Sequence, residues 1–312
     1  MYDHAGQKKT RLMVKKTFFL SLLFLILTGG GAAQGVSSVR DYFQVLCSLS
    51  PRPPGSDNHK RTEEYLREEL TRLGWKVRIH TFSYENPFSG VQKGTNIIAE
   101  WPGREKKAVA FASHWDTRPV CDRDPDRAKR TKNLFGANDG NSSTAVLLSL
   151  AREIASRPPS GHTVRLYFFD AEDSGKDLST YLIGSRRLVG EEETDDIAFG
   201  VLVDMIGDKD LALPYEEYSY RAVPGLVRRV WDYARETRGF SFFREEMGTA
   251  VWDDHMPFLE KGIPFICLID FTYPWWHTSG DTPDKCSVEN MDKIASLLYD
   301  IAISPALFYP GF

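Results

Sequence analysis

The sequence predicts an α/β fold in which a central sheet is buried between helices on both of its faces. Two observations carry that expectation. The apolar runs "TNIIAEW", "AVAFAS", "VRLYFFD", "FGVLVDMIG" and "IPFICLID" are short and rich in β-branched or aromatic residues, as strands covered on both faces read. Between them lie helical stretches at 142–155, 224–237 and 288–303, so strands and helices alternate along the chain.

In chain order, the first 35 of the 312 residues stand apart. Lys8, Lys9, Arg11, Lys15 and Lys16 precede the apolar run "TFFLSLLFLIL", and the small residues Gly31 and Ala33 follow it. That is the layout of a secretory leader. The run is well short of the roughly 20 residues that span a bilayer. It suits cleavage before Gln34, and no cysteine directly follows it for lipid attachment. Left uncleaved, this segment is the expected route to a membrane. Residues 36–312 are then a periplasmic or extracellular domain. The formal net charge of −4 becomes about −8 without residues 1–33, and an acidic exported domain is a poor partner for nucleic acid.

From about residue 40 no low-complexity linker or repeat interrupts the pattern, so one domain is expected. "RTEEYLREELTRLGW" places Tyr65, Leu66, Leu70 and Leu73 at helical spacing and stops near Gly74; "KVRIHTFSY" then alternates with period two. These predict a helix followed by a strand. Cys47, Cys121, Cys267 and Cys286 would sit where disulfides are permitted. Cys267, inside "IPFICLID", reads as a buried thiol, whereas Cys121 and Cys286 lie in polar stretches and are candidates to pair.

Ligands of such folds gather beyond the carboxyl ends of the strands, and the chemistry-bearing residues concentrate there. His114 and Asp116 follow "AVAFAS", Asp139 precedes a helix, Glu172 and Asp173 close "FFDAED", Asp204 ends "VLVD" and His277 closes "YPWWH". A lone aspartate at such a place is ordinarily a cap or turn residue, but capping does not account for five segments that each deliver a histidine or carboxylate. Two histidines with several carboxylates and no thiolate suit zinc held catalytically. Residues two apart on extended chain share a face, so Asp116 is expected to accept the second ring hydrogen of His114. The neighbours Glu172 and Asp173 cannot point the same way, which leaves one to bind metal and the other to accept a proton. His255 is expected to be structural, opening a helix capped by Asp253 or Asp254.

"SHWDTRP", "GANDGNSSTAVLLSLARE", "FFDAEDSG", "GSR", "LVDMIG", "DDHMPFLEKGIP" and "WHTSGDTPDKC" resemble, in order and spacing, the zinc-dependent aminopeptidase and glutaminyl-peptide cyclotransferase family, closest to its glutaminyl cyclase-like branch. The resemblance implies a three-layer αβα sandwich around a mostly parallel twisted sheet. It implies one zinc ion held by Asp139, Asp173 and His277, or two in aminopeptidase members, the second adding His114 and Asp204 with Asp139 bridging. Glu172 resembles the general acid/base, Asp204 and Asp253 the cyclase's hydrogen-bonded acidic pair, and Trp276 the tryptophan lining the substrate pocket. The implied reaction converts an N-terminal glutamine of a peptide or protein to pyroglutamate with release of ammonia; hydrolysis of the first peptide bond is the alternative. The chain departs from the animal cyclases in lacking a tryptophan over 174–183 and in carrying Cys267 where they have a histidine. Nothing in the sequence indicates an oligomeric state.

Overall fold

The protein is described by a computed structural model over residues 38–105, 107–159 and 161–312; the expected leader lies outside the described residues. Helices α1 (Val39–Ser48) and α2 (Asp57–Arg72) each begin on a serine, Ser38 and Ser56, whose hydroxyl accepts a hydrogen bond from the N–H three residues on. Such caps satisfy donors that a helix start leaves open. Next come β1 (Lys76–Asn86), β2 (Gly90–Trp101), β3 (Ala108–His114), α3 (Ser143–Ser156), β4 (Thr163–Phe169), α4 (Ile183–Glu191) and β5 (Ile197–Asp204). Two short strands, β6 (Leu213–Tyr215) and β7 (Phe243–Met247), pair with each other and enclose α5 (Glu217–Ala222) and α6 (Pro224–Asp232) in sequence. The chain ends with α7 (Met256–Glu260), β8 (Phe265–Ile269), α8 (Val288–Ile303) and α9 (Pro305–Phe308).

The central sheet has the order β1-β2-β4-β3-β5-β8. β4, β3, β5 and β8 run parallel, while β2 is antiparallel to both its neighbours and is the one reversed strand of the six. Only three residues separate β1 from β2, too few for a crossover, so the second strand must return antiparallel. Every residue of β3 and β4 is buried, and alternate residues serve opposite faces. Val109 and Phe111 join the core formed with α1, α3 and α8, whereas Ala110 and Ala112 join the core formed with α4 and α7. Helices therefore cover both faces, as predicted.

Element boundaries moved little. The helix expected over 142–155 is regular from Ser143 and is preceded by a kink in which Asp139 and Gly140 leave helical backbone; that over 224–237 is regular to Asp232 and widens over Tyr233–Thr237. The expected cysteine pair does not form: Cys121 and Cys286 are both free and buried. Cys286 packs into the main core, and the N–H of Cys121 closes a loop by donating to Lys132. A polar stretch of sequence does not report the burial of a single thiol within it.

Candidate active site and metal centre

The chain leaves β3 towards β4 on one side and returns to β5 on the other, so its connections diverge at the carboxyl end of β3, where ligands of open α/β sheets bind. His114 and Asp204 are the last residues of β3 and β5, and His114 Nε2 lies 3.1 Å from Asp204 Oδ1 and 3.3 Å from Asp139 Oδ1. Asp139 enters from the turns before α3. His277, from the loop after β8, places Nε2 3.1 Å from Asp173 Oδ1 and 3.7 Å from Asp139 Oδ2. Two groups result, His114–Asp139–Asp204 and Asp139–Asp173–His277, each with ligand atoms within 4.8 Å of one another and with Asp139 common to both.

The donor atoms fit a cation. Asp139 Oδ2 and Asp173 Oδ2 are buried without a hydrogen-bond partner, an uncommon condition for buried oxygens. Burial, with the charge of Asp173 adding to it, raises the carboxyl of Asp139 above the ordinary range. A divalent ion would satisfy both oxygens and offset the crowding of negative charge, and a set of imidazole and carboxylate donors without thiolate is that of catalytic zinc.

Several groups that sequence reasoning passed over hold these ligands in place. Arg118 Nη1 donates to Oδ1 of Asp173 at 3.1 Å and to its carbonyl at 3.0 Å. Burial opposes the charge of Asp173, but His277 and Arg118 outweigh it and keep this carboxyl below its ordinary range. Asp281 accepts the N–H groups of Asn138 and Asp139, at 2.8 and 3.2 Å. Gly140 lies at φ +103°, and a Cβ there would stand 2.8 Å from the carbonyl oxygen of Asp116, so only glycine allows the bend that presents Asp139. Ala171, Met205 and His277 adopt φ of +55°, +46° and +56°, a strained region for side-chain-bearing residues. Each either is a site residue or adjoins one. Arg118 and Asp281 both stand inside motifs quoted above, but no spacing marks them as supports.

Asp116 sits beside His114, its Oδ1 3.6 Å from Nδ1, an ion-pair separation slightly longer than a hydrogen bond. The carboxylate also accepts the N–H groups of Glu172 and Asp173, at 3.2 and 3.4 Å, because the turn after β4 presents two free donors to it. The helix expected to open on His255 begins at Met256 with no side-chain cap. Asp253 takes the N–H of Asp254, Asp254 takes the hydroxyl of Ser185, and His255 Nε2 bonds Glu216 Oε2 at 3.1 Å.

Glu172 stands outside both metal groups and lines, with Asp204, Asp253 and Trp276, a cavity of about 320 Å³. Burial, with Asp173 and Asp253 adding to it, lifts the Glu172 carboxyl well above the ordinary range, and burial with Asp204 does the same for Asp253. Asp204 and Asp253 thus face one pocket: Asp204 Oδ1 meets Met205 N–H and His114 Nε2, and Asp253 takes the Asp254 N–H on Oδ1 and the Cys267 thiol, at 3.5 Å, on Oδ2. Trp252, Phe271 and Tyr181 also line the cavity. Trp252 supplies an aromatic wall from the loop before α7, although 174–183 carries no tryptophan.

A mixed α/β sheet with paired imidazole–carboxylate groups and an unligated glutamate at its carboxyl edge defines a metal-dependent enzyme. The chain belongs to Peptidase family M28, whose profile matches residues 96–302. It is 28% identical over 291 residues to a glutaminyl-peptide cyclotransferase of Gloydius blomhoffii, covering 79% of this chain and 76% of that protein. Among solved structures, a Zn-dependent exopeptidase from Parabacteroides distasonis superposes with a TM-score of 0.81 at 29% identity, covering 86% of this chain and 97% of that one. The glutaminyl cyclase of Porphyromonas gingivalis superposes with a TM-score of 0.80 at 29% identity, covering 85% and 96%.

Proposed function

We propose that the chain is a zinc-dependent glutaminyl-peptide cyclotransferase, closing the N-terminal glutamine of a peptide or protein to pyroglutamate and releasing ammonia. The observation that carries this reading is a three-residue metal group and an unclaimed carboxyl, Glu172, facing one aromatic-walled pocket. Similarity to a glutaminyl-peptide cyclotransferase over four fifths of the chain supports it. Asp139, Asp173 and His277 would hold the zinc, which when bound supplies Lewis-acid polarisation of the γ-carboxamide carbonyl. The remaining work belongs to the chain. Trp252, Phe271 and Trp276 hold the glutaminyl side chain against that group and keep water out. Glu172 takes a proton from the α-amine as the amine nitrogen attacks the carbonyl carbon of the side-chain carboxamide. It returns that proton to the departing ammonia, so the ring C–N bond forms as the amide C–N bond breaks and no water is consumed. A carboxyl raised above its ordinary range suits both transfers near neutral pH.

The second group, His114–Asp139–Asp204, favours one other reading, a two-zinc aminopeptidase in which Glu172 takes a proton from water. Zinc per chain, measured with ammonia release from a glutaminyl amide and leucine release from a leucyl amide, separates the two. Ammonia without leucine is expected, and leucine release overturns the cyclase. The reading includes export through the leader-like segment. Mass spectrometry of the expressed protein is expected to find Gln34 as the N-terminus, and intact chain confined to the cytoplasm would refute export.

A further inference from the structure

The pocket is lined by five carboxylates, Asp139, Glu172, Asp173, Asp204 and Asp253, and among its described lining residues by one cationic side chain, Arg123. The Arg123 guanidinium lies over the ring of Trp276, 4.2 Å from its centroid, and its backbone N–H donates to the carbonyl of His277. The residue is therefore tied beside the metal group from both ends. Its flanking acids are committed elsewhere. Asp122 takes Arg118 Nε and Nη2, each at 2.8 Å, and Asp124 takes the N–H groups of Asp126 and Ser279. Arg123 is left exposed, with its guanidinium carbon over an aromatic ring and no carboxylate partner among the described residues.

A guanidinium stacked on a ring keeps its in-plane N–H edge free, and that edge matches a carboxylate in two-pronged fashion. Such a cation does not serve the N-terminal residue, whose α-ammonium it would repel. With the N-terminal residue seated against the metal group, the following side chains emerge at the open mouth of the cavity, where Arg123 is exposed. We propose that Arg123 recognises a carboxylate at the second or third position of the substrate, making acidic N-terminal sequences the preferred class. This inference rests on the cyclase reading for the chemistry but not for the binding. Without Arg123 the five carboxylates below would favour a lysine at the same place, so the two alternatives differ in sign.

The test compares Gln-Glu-Phe and Gln-Lys-Phe amides. We expect kcat/KM for the glutamyl peptide to be about three- to fivefold higher, the range of an exposed ion pair, and to shrink as salt rises. Arg123→Gln should turn the preference towards the lysyl peptide and Arg123→Glu should turn it further, with thermal midpoints checked to show that both variants fold. Calorimetric Kd values for the same peptides on Glu172→Gln protein should show the same order. Leucine release from Leu-Glu-Phe and Leu-Lys-Phe amides reads it if the enzyme proves to be a peptidase. Absence of ammonia from every glutaminyl peptide refutes the cyclase reading alone. Equal values for the two peptides in kinetics and binding, or an acidic preference surviving in Arg123→Gln, overturns the role of Arg123.

Discussion

Glu172 and Asp173 are neighbours in the chain and differ in what sets a carboxylate's chemistry. Asp173 is held by His277 and Arg118 and kept in its charged form; Glu172 faces the cavity among other acids and is pushed towards its neutral form. The first condition suits a ligand and the second a proton carrier. Glu172→Gln is therefore expected to retain zinc and fold, with activity lower by more than ~10²-fold; near-normal turnover would remove the residue from the mechanism. His277→Ala or Asp173→Ala should lose metal, read as zinc per chain after dialysis, and full occupancy would show the ligand set to be wrong. That the two side chains point to different surroundings was legible in the sequence, because adjacent residues cannot share a direction. Arg118 and Asp281 were not, because a support is recognised only by what it touches.

At the scale of elements, the turn after β4 shows how the site is built. Asp170 accepts the N–H of Ala171 at 2.7 Å, that of Thr95 at 2.7 Å and Nε2 of His59 at 2.8 Å, and His59 stacks on Trp115. One carboxylate thereby joins α2, β2 and the left-handed residue that aims Glu172. Asp170→Ala strands three buried donors, and we expect about 3–5 kcal/mol lower stability together with reduced zinc content; an unchanged denaturation midpoint would show the turn to be held otherwise. Glu216, beside α5, tests the pH behaviour of the scaffold. Burial works to raise its carboxyl, but hydrogen bonds from His255, Val251 N–H and Ser219 hold it down at about 2. A carboxyl depressed from about 4.3 stabilises the fold above that pH and loses the contribution as pH falls towards 2. The stability gap between the natural protein and Glu216→Gln, measured by urea unfolding, should be roughly 3 kcal/mol at pH 6 and close between pH ~4 and ~2. A gap independent of pH would refute the pairing.

For the molecule as a whole, rigidity comes from strands buried on both faces. Phe111 at the centre of β3 is fully buried in the main core, three residues before His114. Phe111→Ala should cost about 3–5 kcal/mol and lower the melting temperature by roughly 10 °C, measured by calorimetry on zinc-loaded protein; a loss under 1 kcal/mol would mean that the sheet tolerates repacking beside His114 and is not rigid there. Periodicity and burial preference are local properties, and by themselves they determined the alternation of strands and helices, the cover on both faces of the sheet and the placement of polar residues at strand ends. Spacing in the chain says nothing of distances between segments. Only the tertiary structure decided that β2 runs reversed, that Cys121 and Cys286 remain apart as thiols, and that Asp116 takes two backbone donors from the turn after β4 besides facing His114. Each depends on which strand ends become neighbours, a result of packing the whole sheet.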